Sequence, residues 1–461
     1  MAGSAAEYDL VVLGGGPAGY PAAIRASQMG ARVCLIEKDT IGGTCINRGC
    51  IPTKTMHATA HLMERMESAS RLCTGDAAFG PDAESLFEYK DGVVGKLVSG
   101  LKQLLKSRNV DVIKGTGTIM GRGEIEVSGM GKVTGKSVLI ATGSSEIDVP
   151  GMEVDGIGVV GSTELLELGR IPKSLIVIGG GIIGCEFASI FNGLGTKIEI
   201  VEMLPRLIAT EDMQVSRFLQ ASFRKRGIGM HLGTKVTSLA SEGGAIKAVL
   251  DDGSGISAEM ALVSVGRRPN VTGIGLENVG IEASPKGIEV NERMETGFEG
   301  FYAAGDVVGG WMLAHVATRE GIVAAENALG GSRTISYEAI PSTIYTLPEI
   351  ASVGATEEAA KKLGLKVATG RFPFAANGKA KGLGEEEGFV KWVVDAGEKR
   401  LIGLHIIGPQ ATELIAAGVI AVDRRLTVDE FTSSVFAHPT LSEAVSEAAD
   451  AVEGRALHIL R

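Results

Sequence analysis

Cysteine is scarce in this chain, five in 461 residues, and the number is odd. That excludes a secreted scaffold stapled by disulfides and points to a reducing, cytoplasmic setting. Aromatic residues make up only 5% and prolines number 14. Basic residues are outnumbered 45 to 55, the net charge is −10, and no Lys/Arg block stands out. A nucleic-acid partner is therefore not expected. No membrane span is expected either, because the most apolar window, Ser174–Phe191, is interrupted by a glycine turn and carries Glu186. The first strand is expected by Tyr8, and no leader is expected ahead of it.

Glycine is what the chain has in excess, 65 residues against a hydrophobic fraction of 44%. The glycines follow no three-residue period, and apolar residues run throughout, so collagen and low-complexity disorder are both excluded. Tight strand-to-helix turns, where backbone must approach a ligand, are the remaining use for so much glycine. At the usual domain size the length suggests about three domains.

Two of those turns echo each other at a spacing of 165 residues. Leu10–Gly19 reads LVVLGGGPAG and Leu175–Gly184 reads LIVIGGGIIG. Gly14, Gly16 and Gly19 complete G-x-G-x-x-G in the first copy; Gly179, Gly181 and Gly184 complete it in the second. An acid, Glu37 or Glu202, follows at the end of a second apolar strand, 23 residues after the first glycine in both copies. Strand, turn, helix and strand-end acid are the full context of a dinucleotide-binding unit. The first glycine turns the chain, the second admits the pyrophosphate, and the third lets helix pack on strand. The helix N-terminus faces the phosphates and the acid takes the ribose hydroxyls. One chain is thus expected to bind two dinucleotides.

The organisation read from the sequence is α/β, with two Rossmann-like dinucleotide-binding domains and a C-terminal α+β domain. Residues 1–150 and 270–340 form the first, with FYAAGD a short strand ending before Asp306. Residues 151–269 form the second. Residues 341–461, with FVKWVV and LIGLHIIG, form an antiparallel sheet under helical cover.

Cys45 and Cys50 lie in GGTCINRGCIPTK. Closing so short a loop removes only about 2 kcal/mol of chain entropy, so the pair is poorly placed to stabilise a fold. Nothing completes a zinc site around it. Positions five apart diverge by about 140° on a regular helix, so a bridge requires a break that Gly49 and Pro52 could supply. A redox-active pair with depressed thiol pKa fits this setting best. His57 and His61 stand four apart with no acid between them, and no metal site is expected. His438, ahead of Pro439 and one turn before Glu443, has a context the other histidines lack; Pro439 is expected at the first helical position.

These segments, with ATG at Ala141–Gly143 and HPTLSE at His438–Glu443, resemble the pyridine nucleotide–disulfide oxidoreductases, a flavoprotein family, along essentially the whole chain. The resemblance implies FAD in the first domain and a nicotinamide nucleotide in the second. It implies that Gly14, Gly16, Gly19, Glu37, Lys38, Lys54, Gly117, Thr142, Gly143, Asp306, Ala314 and His315 serve FAD. Gly179, Gly181, Gly184, Glu202 and Gly266 then serve the nicotinamide nucleotide. Cys50 becomes the flavin-facing sulfur, Cys45 the one that exchanges with substrate, and Lys54 and Glu186 a pair flanking the flavin. His438, oriented by Glu443, becomes the general base and acid toward a substrate thiol, reaching the cysteines of a second subunit in a homodimer.

No cysteine follows position 185, which excludes members that work through a C-terminal thiol pair. Glu202 at the second strand end opposes a 2′-phosphate and favours NAD, with Arg206 nearby. HPTLSEAVSEAA and GRALHI resemble the members that oxidise dihydrolipoyl groups of 2-oxoacid dehydrogenase or glycine cleavage complexes, which makes lipoyl domains the expected partners. Another FAD-dependent reductase of small disulfides, of glutathione type, is the alternative. Arg48 between the cysteines, Val316 and Pro21 depart from the family's usual residues.

Overall fold

Short apolar runs ending in glycine build the centre of each sheet. The computed structural model describes residues 7–69 and 80–460, so Cys73 lies outside the described residues. By internal packing the chain divides into two units, one of Met1–Thr55, Ala83–Asp148 and Gly266–Ser336, the other of Met56–Asp82, Val149–Val265 and Tyr337–Arg461.

In the first unit β1 (Glu7–Leu13) leads through α1 (Gly19–Gln28) to β2 (Val33–Glu37). Then come α2 (Gly43–Arg48), the start of α3 (Cys50–Ala69), α4 (Ala83–Ser107) and, after shorter strands, β3 (Gly131–Ile140). The parallel core of the sheet runs Asp111–Lys114, β2, β1, β3, with two antiparallel strands continuing beyond it. The returning segment Phe301–Ala303 pairs parallel with β3. Leu10, Val11 and Val12 are fully buried, as expected for a strand covered on both faces. Pro21 sits in the first turn of α1, where its missing N–H costs nothing.

The second unit repeats this pattern. Here β4 (Ser174–Ile178), α5 (Ile182–Gly193) and β5 (Lys197–Glu202) are followed by β6 (Met260–Val263). Its parallel sheet runs Gly229–Leu232, β5, β4, β6, Val159–Val160. The Ser174–Phe191 window is indeed a buried strand and helix, and no helix among the described residues is long and apolar enough to cross a membrane.

The same unit holds a five-stranded antiparallel sheet built from residues 341–408. Helix α6 (Glu443–Ala451) lies against it. Two contacts fix that helix. Trp392, fully buried, donates its indole N–H to Val445 O at 2.9 Å, and a Cβ on Gly370 would stand 2.1 Å from Ala448 O. Only glycine lets the helix come this near the sheet. The fold is thus α/β with two doubly wound parallel sheets and a C-terminal α+β layer, as the sequence predicts.

Candidate functional site

The two glycine turns are the same object built twice. Gly14 and Gly179 have φ of +107° and +106°, and a Cβ on them would strike Ala141 O at 2.2 Å and Ser264 O at 2.5 Å. Gly19 and Gly184 would strike Gly14 O at 1.8 Å and Gly179 O at 1.9 Å. Protein packing therefore explains the outer glycines. It does not explain the middle ones: Gly16 would meet nothing nearer than 3.8 Å, and Gly181 nothing within 4 Å. A glycine that its own protein leaves open fits the close approach of a phosphate.

The strand-end acids are also held alike. Glu37 accepts the Gly15 N–H at 2.7 Å and the Asp39 N–H at 2.8 Å. Glu202 accepts the Gly180 N–H at 2.6 Å and the Leu204 N–H at 2.7 Å. Each carboxylate is locked beside its turn with lone pairs left for ribose hydroxyls. Beside Glu37 opens a cavity of about 600 Å³, lined by Asp39, Ile41, Lys102, Lys106 and Lys114 among others. Its volume suits the adenosine end of a dinucleotide. Lys38 is exposed next to it.

Chain return completes the first unit. A Cβ on Gly305 would stand 3.0 Å from the Ala18 Cβ, so Asp306 lies beside the start of α1. Asp306 accepts from Ser144 Oγ at 2.5 Å, and Arg267 grips Ser144 at both Oγ and O at 2.8 Å. Thr142 donates to Asn270 O at 2.8 Å, and Asn270 returns a bond to Thr142 O at 3.0 Å. Gly143 accepts from Asn270 N at 2.9 Å. Ser144, Arg267 and Asn270 are additions to the sequence reading. The only cue was their place next to ATG and within VGRRPN. Gly117 begins a strand where a Cβ would meet Leu13 Cδ2 at 2.8 Å, so packing explains that glycine; Gly266, at φ +132°, would meet Ile147 Cδ1 at 3.3 Å. Ala314 and His315 open the helix Ala314–Ala328, with His315 exposed.

The cysteine loop follows from one break. α2 ends at Arg48, Gly49 takes φ −142°, ψ −112°, and α3 starts at Cys50. Gly49 alone makes the break, because Pro52 lies inside the first turn of α3, not between the helices. Cys50 is the first residue of a 20-residue helix, whose N-terminal N–H groups and dipole favour negative charge there. The Cys45 thiol hydrogen-bonds to Cys50, and that bond, with burial, pushes its pKa far up, while the Lys54 charge opposes. The expectation of a depressed thiol fails at Cys45, because two sulfurs that share a proton cannot both ionise readily. Arg48 is paired with Asp39; the cation that acts on Cys45 is Lys54. Tyr20, on the first turn of α1, lies within the field of both thiols, and burial and their charge raise its phenol. No sequence signal marked it.

The remaining site residues belong to the second unit. Glu186, 4% exposed on α5, accepts the Tyr345 N–H at 2.8 Å. His438 Nδ1 meets Glu443 Oε1 at 2.8 Å, and Glu443 Oε2 accepts the Thr440 N–H at 2.8 Å. Burial works against the Glu443 charge, but the Thr440 N–H and His438 hold its carboxyl below the usual range. With the ring 79% exposed and Nδ1 engaged, Nε2 is free to meet a substrate. Pro439 opens no helix: α6 starts at Glu443, and the 437–442 turn is closed by Thr440 Oγ1 donating to Ala437 O at 2.7 Å.

A family model described as pyridine nucleotide-disulphide oxidoreductase matches residues 8–321, and one described as its dimerisation domain matches residues 340–449. The chain belongs to this family. It is an oxidoreductase that uses FAD and NAD, and its dimerisation domain makes it a subunit of a homodimer. Dihydrolipoyl dehydrogenase of Bacillus subtilis is 40% identical, across 98% of this chain and 100% of its own length. That of Thermus scotoductus is 41% identical, across 98% and 99%. Among solved structures, LpdA of Mycobacterium tuberculosis aligns with a TM-score of 0.89 at 30% identity, covering 95% of this chain and 98% of that one. The flavoprotein disulfide reductase RclA of Escherichia coli aligns at 0.88 and 27% identity, covering 96% and 99%.

Proposed function

We propose that the chain oxidises dihydrolipoyl groups carried by the lipoyl domains of 2-oxoacid dehydrogenase or glycine cleavage complexes, with NAD as final acceptor, in the cytoplasm. Residues 1–150 and 270–340 hold FAD, residues 151–269 hold NAD, and residues 341–461 carry the subunit contact. Near-full-length identity with dihydrolipoyl dehydrogenases supports the substrate. The observation that carries the chemistry is the cysteine pair itself: the Cys45 thiol bonded to Cys50, and Cys50 at the start of a 20-residue helix.

His438 Nε2 takes the proton of a substrate thiol, and Glu443 on Nδ1 stabilises the resulting imidazolium. Such help is worth about 10²–10⁴ in rate. The substrate sulfur bonds to Cys45 as the Cys45–Cys50 bond breaks, and the electron pair leaves on Cys50, where α3 begins. The second substrate sulfur then displaces Cys45, closing the lipoyl disulfide, and Cys45 retains the second proton. Bound FAD supplies the two-electron carrier between a dithiol and a nicotinamide. Gly14, Gly16, Gly19, Glu37 and Asp306 would hold it, and the family resemblance assigns Lys54 and Glu186 to it as well. Glu202, fastened at the β5 end, disfavours a 2′-phosphate by about 4 kcal/mol per unit charge at 4 Å and effective dielectric 20. The test is turnover of purified protein with dihydrolipoamide and NAD⁺ against oxidised glutathione and NADPH. Activity with the first pair is expected; activity only with the second would replace this reading by a glutathione-type reductase.

A further inference from the structure

Helix α6 carries two histidine–carboxylate pairs. Glu443 and Glu447 stand one turn apart on one face. Glu447 Oε1 meets His458 Nδ1 at 2.8 Å, and its Oε2 accepts the Leu457 N–H at 2.9 Å. This repeats the His438–Glu443 arrangement, in which the same atoms meet at 2.8 Å and 2.8 Å. In both pairs the carboxylate is the shielded partner, 27% and 13% exposed, and the imidazole the open one, 79% and 67%. With Nδ1 engaged, each neutral ring presents Nε2 as its proton acceptor. The His458 charge also reaches Glu443 and helps hold its carboxyl low.

A tail fastener is the bland explanation, and it is redundant. Arg455 ties the same tail to Asp429 at 2.8 Å and Glu453 at 2.7 Å, and its N–H donates to Asp450 O at 2.9 Å. The His458 pair adds an oriented imidazole, held on α6 one turn along from the carboxylate that holds His438. Of the two protons that a dithiol gives up, one rests on Cys45 until the disulfide re-forms and then goes with the electron pair to NAD⁺; the other must leave His438 before the next turnover.

We propose that His458 and Glu447 form a second acid–base dyad that takes the substrate proton from His438 and hands it to solvent. This rests on the dihydrolipoyl reading above. The proton leaves His438 Nε2, restoring the neutral ring, crosses by intervening water to His458 Nε2, and passes to bulk water; no electron moves.

His458→Gln keeps an N–H donor for Glu447 but cannot relay a proton. Holoenzyme turnover with dihydrolipoamide and NAD⁺ is compared in weak and strong buffer, with imidazole as the added probe. In weak buffer the variant's kcat is expected to fall about threefold or more, with unchanged KM for dihydrolipoamide and recovery on adding imidazole. The wild type is expected to be indifferent to both. Wild-type kcat in the variant overturns the proposal, as does a loss that imidazole does not restore, which would mark a tail fastener. Failure of the wild type itself to turn over dihydrolipoamide would instead sink the functional reading.

Discussion

At the scale of single residues, the chemistry depends on where protons rest. The bond to Cys50, with burial, pushes the pKa of the Cys45 thiol up, while Cys50 sits where a helix start welcomes charge. In the proposed reaction His438 accepts the substrate's proton, and Glu443 holds its Nδ1 at 2.8 Å. His438→Ala should therefore lower dihydrolipoamide turnover at least about a hundredfold, with flavin content unchanged. Steady-state kinetics checks this, and near-normal turnover would remove His438 from the reaction. Arg48, the most conspicuous departure in the cysteine loop, is engaged by Asp39 and is not among the charges that shift Cys45.

At the scale of elements, each dinucleotide turn divides its glycines by purpose. Gly184→Ala would set a Cβ 1.9 Å from Gly179 O, so overpacking should cost about 1–3 kcal/mol or more of stability. Gly181→Ala meets nothing within 4 Å and should leave the thermal midpoint unchanged while raising the KM for NAD about tenfold. Melting curves and NAD kinetics on the two variants separate these effects; equal loss of stability in both would contradict the division. These turns were legible in the sequence because strand, glycines, helix and acid are contiguous. The cysteine loop was legible for the same reason, although its proton asymmetry was not, since that depends on two thiols meeting in a buried loop. The Ser144–Asp306 and Thr142–Asn270 bonds span 162 and 128 positions. No local pattern announces such partners, and Tyr20 is known only through what it packs beside. The expectation that Pro439 begins a helix failed because the 437–442 turn satisfies its own hydrogen bonds first.

At the scale of the whole molecule, the second unit is fastened by buried charge. Lys391, 1% exposed on the antiparallel sheet, meets Asp212 at 2.8 Å and Glu357 at 2.7 Å. Burial disfavours the Asp212 charge, but the Lys391 bond prevails and holds its carboxyl below the usual range. Lys391→Met strands Asp212 without its partner and should destabilise by about 3–5 kcal/mol, read by denaturant unfolding. Unchanged stability would contradict the role. His405 is buried, donates Nε2–H to Ala355 O at 3.1 Å, and is held below its ordinary pKa by burial. A lowered pKa means stability that is present above the ordinary value and lost as pH falls through the folded one. Stability should therefore start to decline below about pH 6.5 through His405, and again below about pH 3.9 through Asp212. His405→Gln should flatten the first decline in melting curves between pH 7 and 5, and an unchanged slope would assign that decline elsewhere.

In the proposed reaction, electrons from a dihydrolipoyl dithiol enter through Cys45 and Cys50. The direct measurement is alkylation of the oxidised holoenzyme before and after anaerobic addition of one equivalent of dihydrolipoamide, with labelled peptides identified by mass. New label on the peptide holding Cys45 and Cys50 after addition, and on no other cysteine, is the predicted result. Label on that peptide before addition, or none there afterwards, would contradict it.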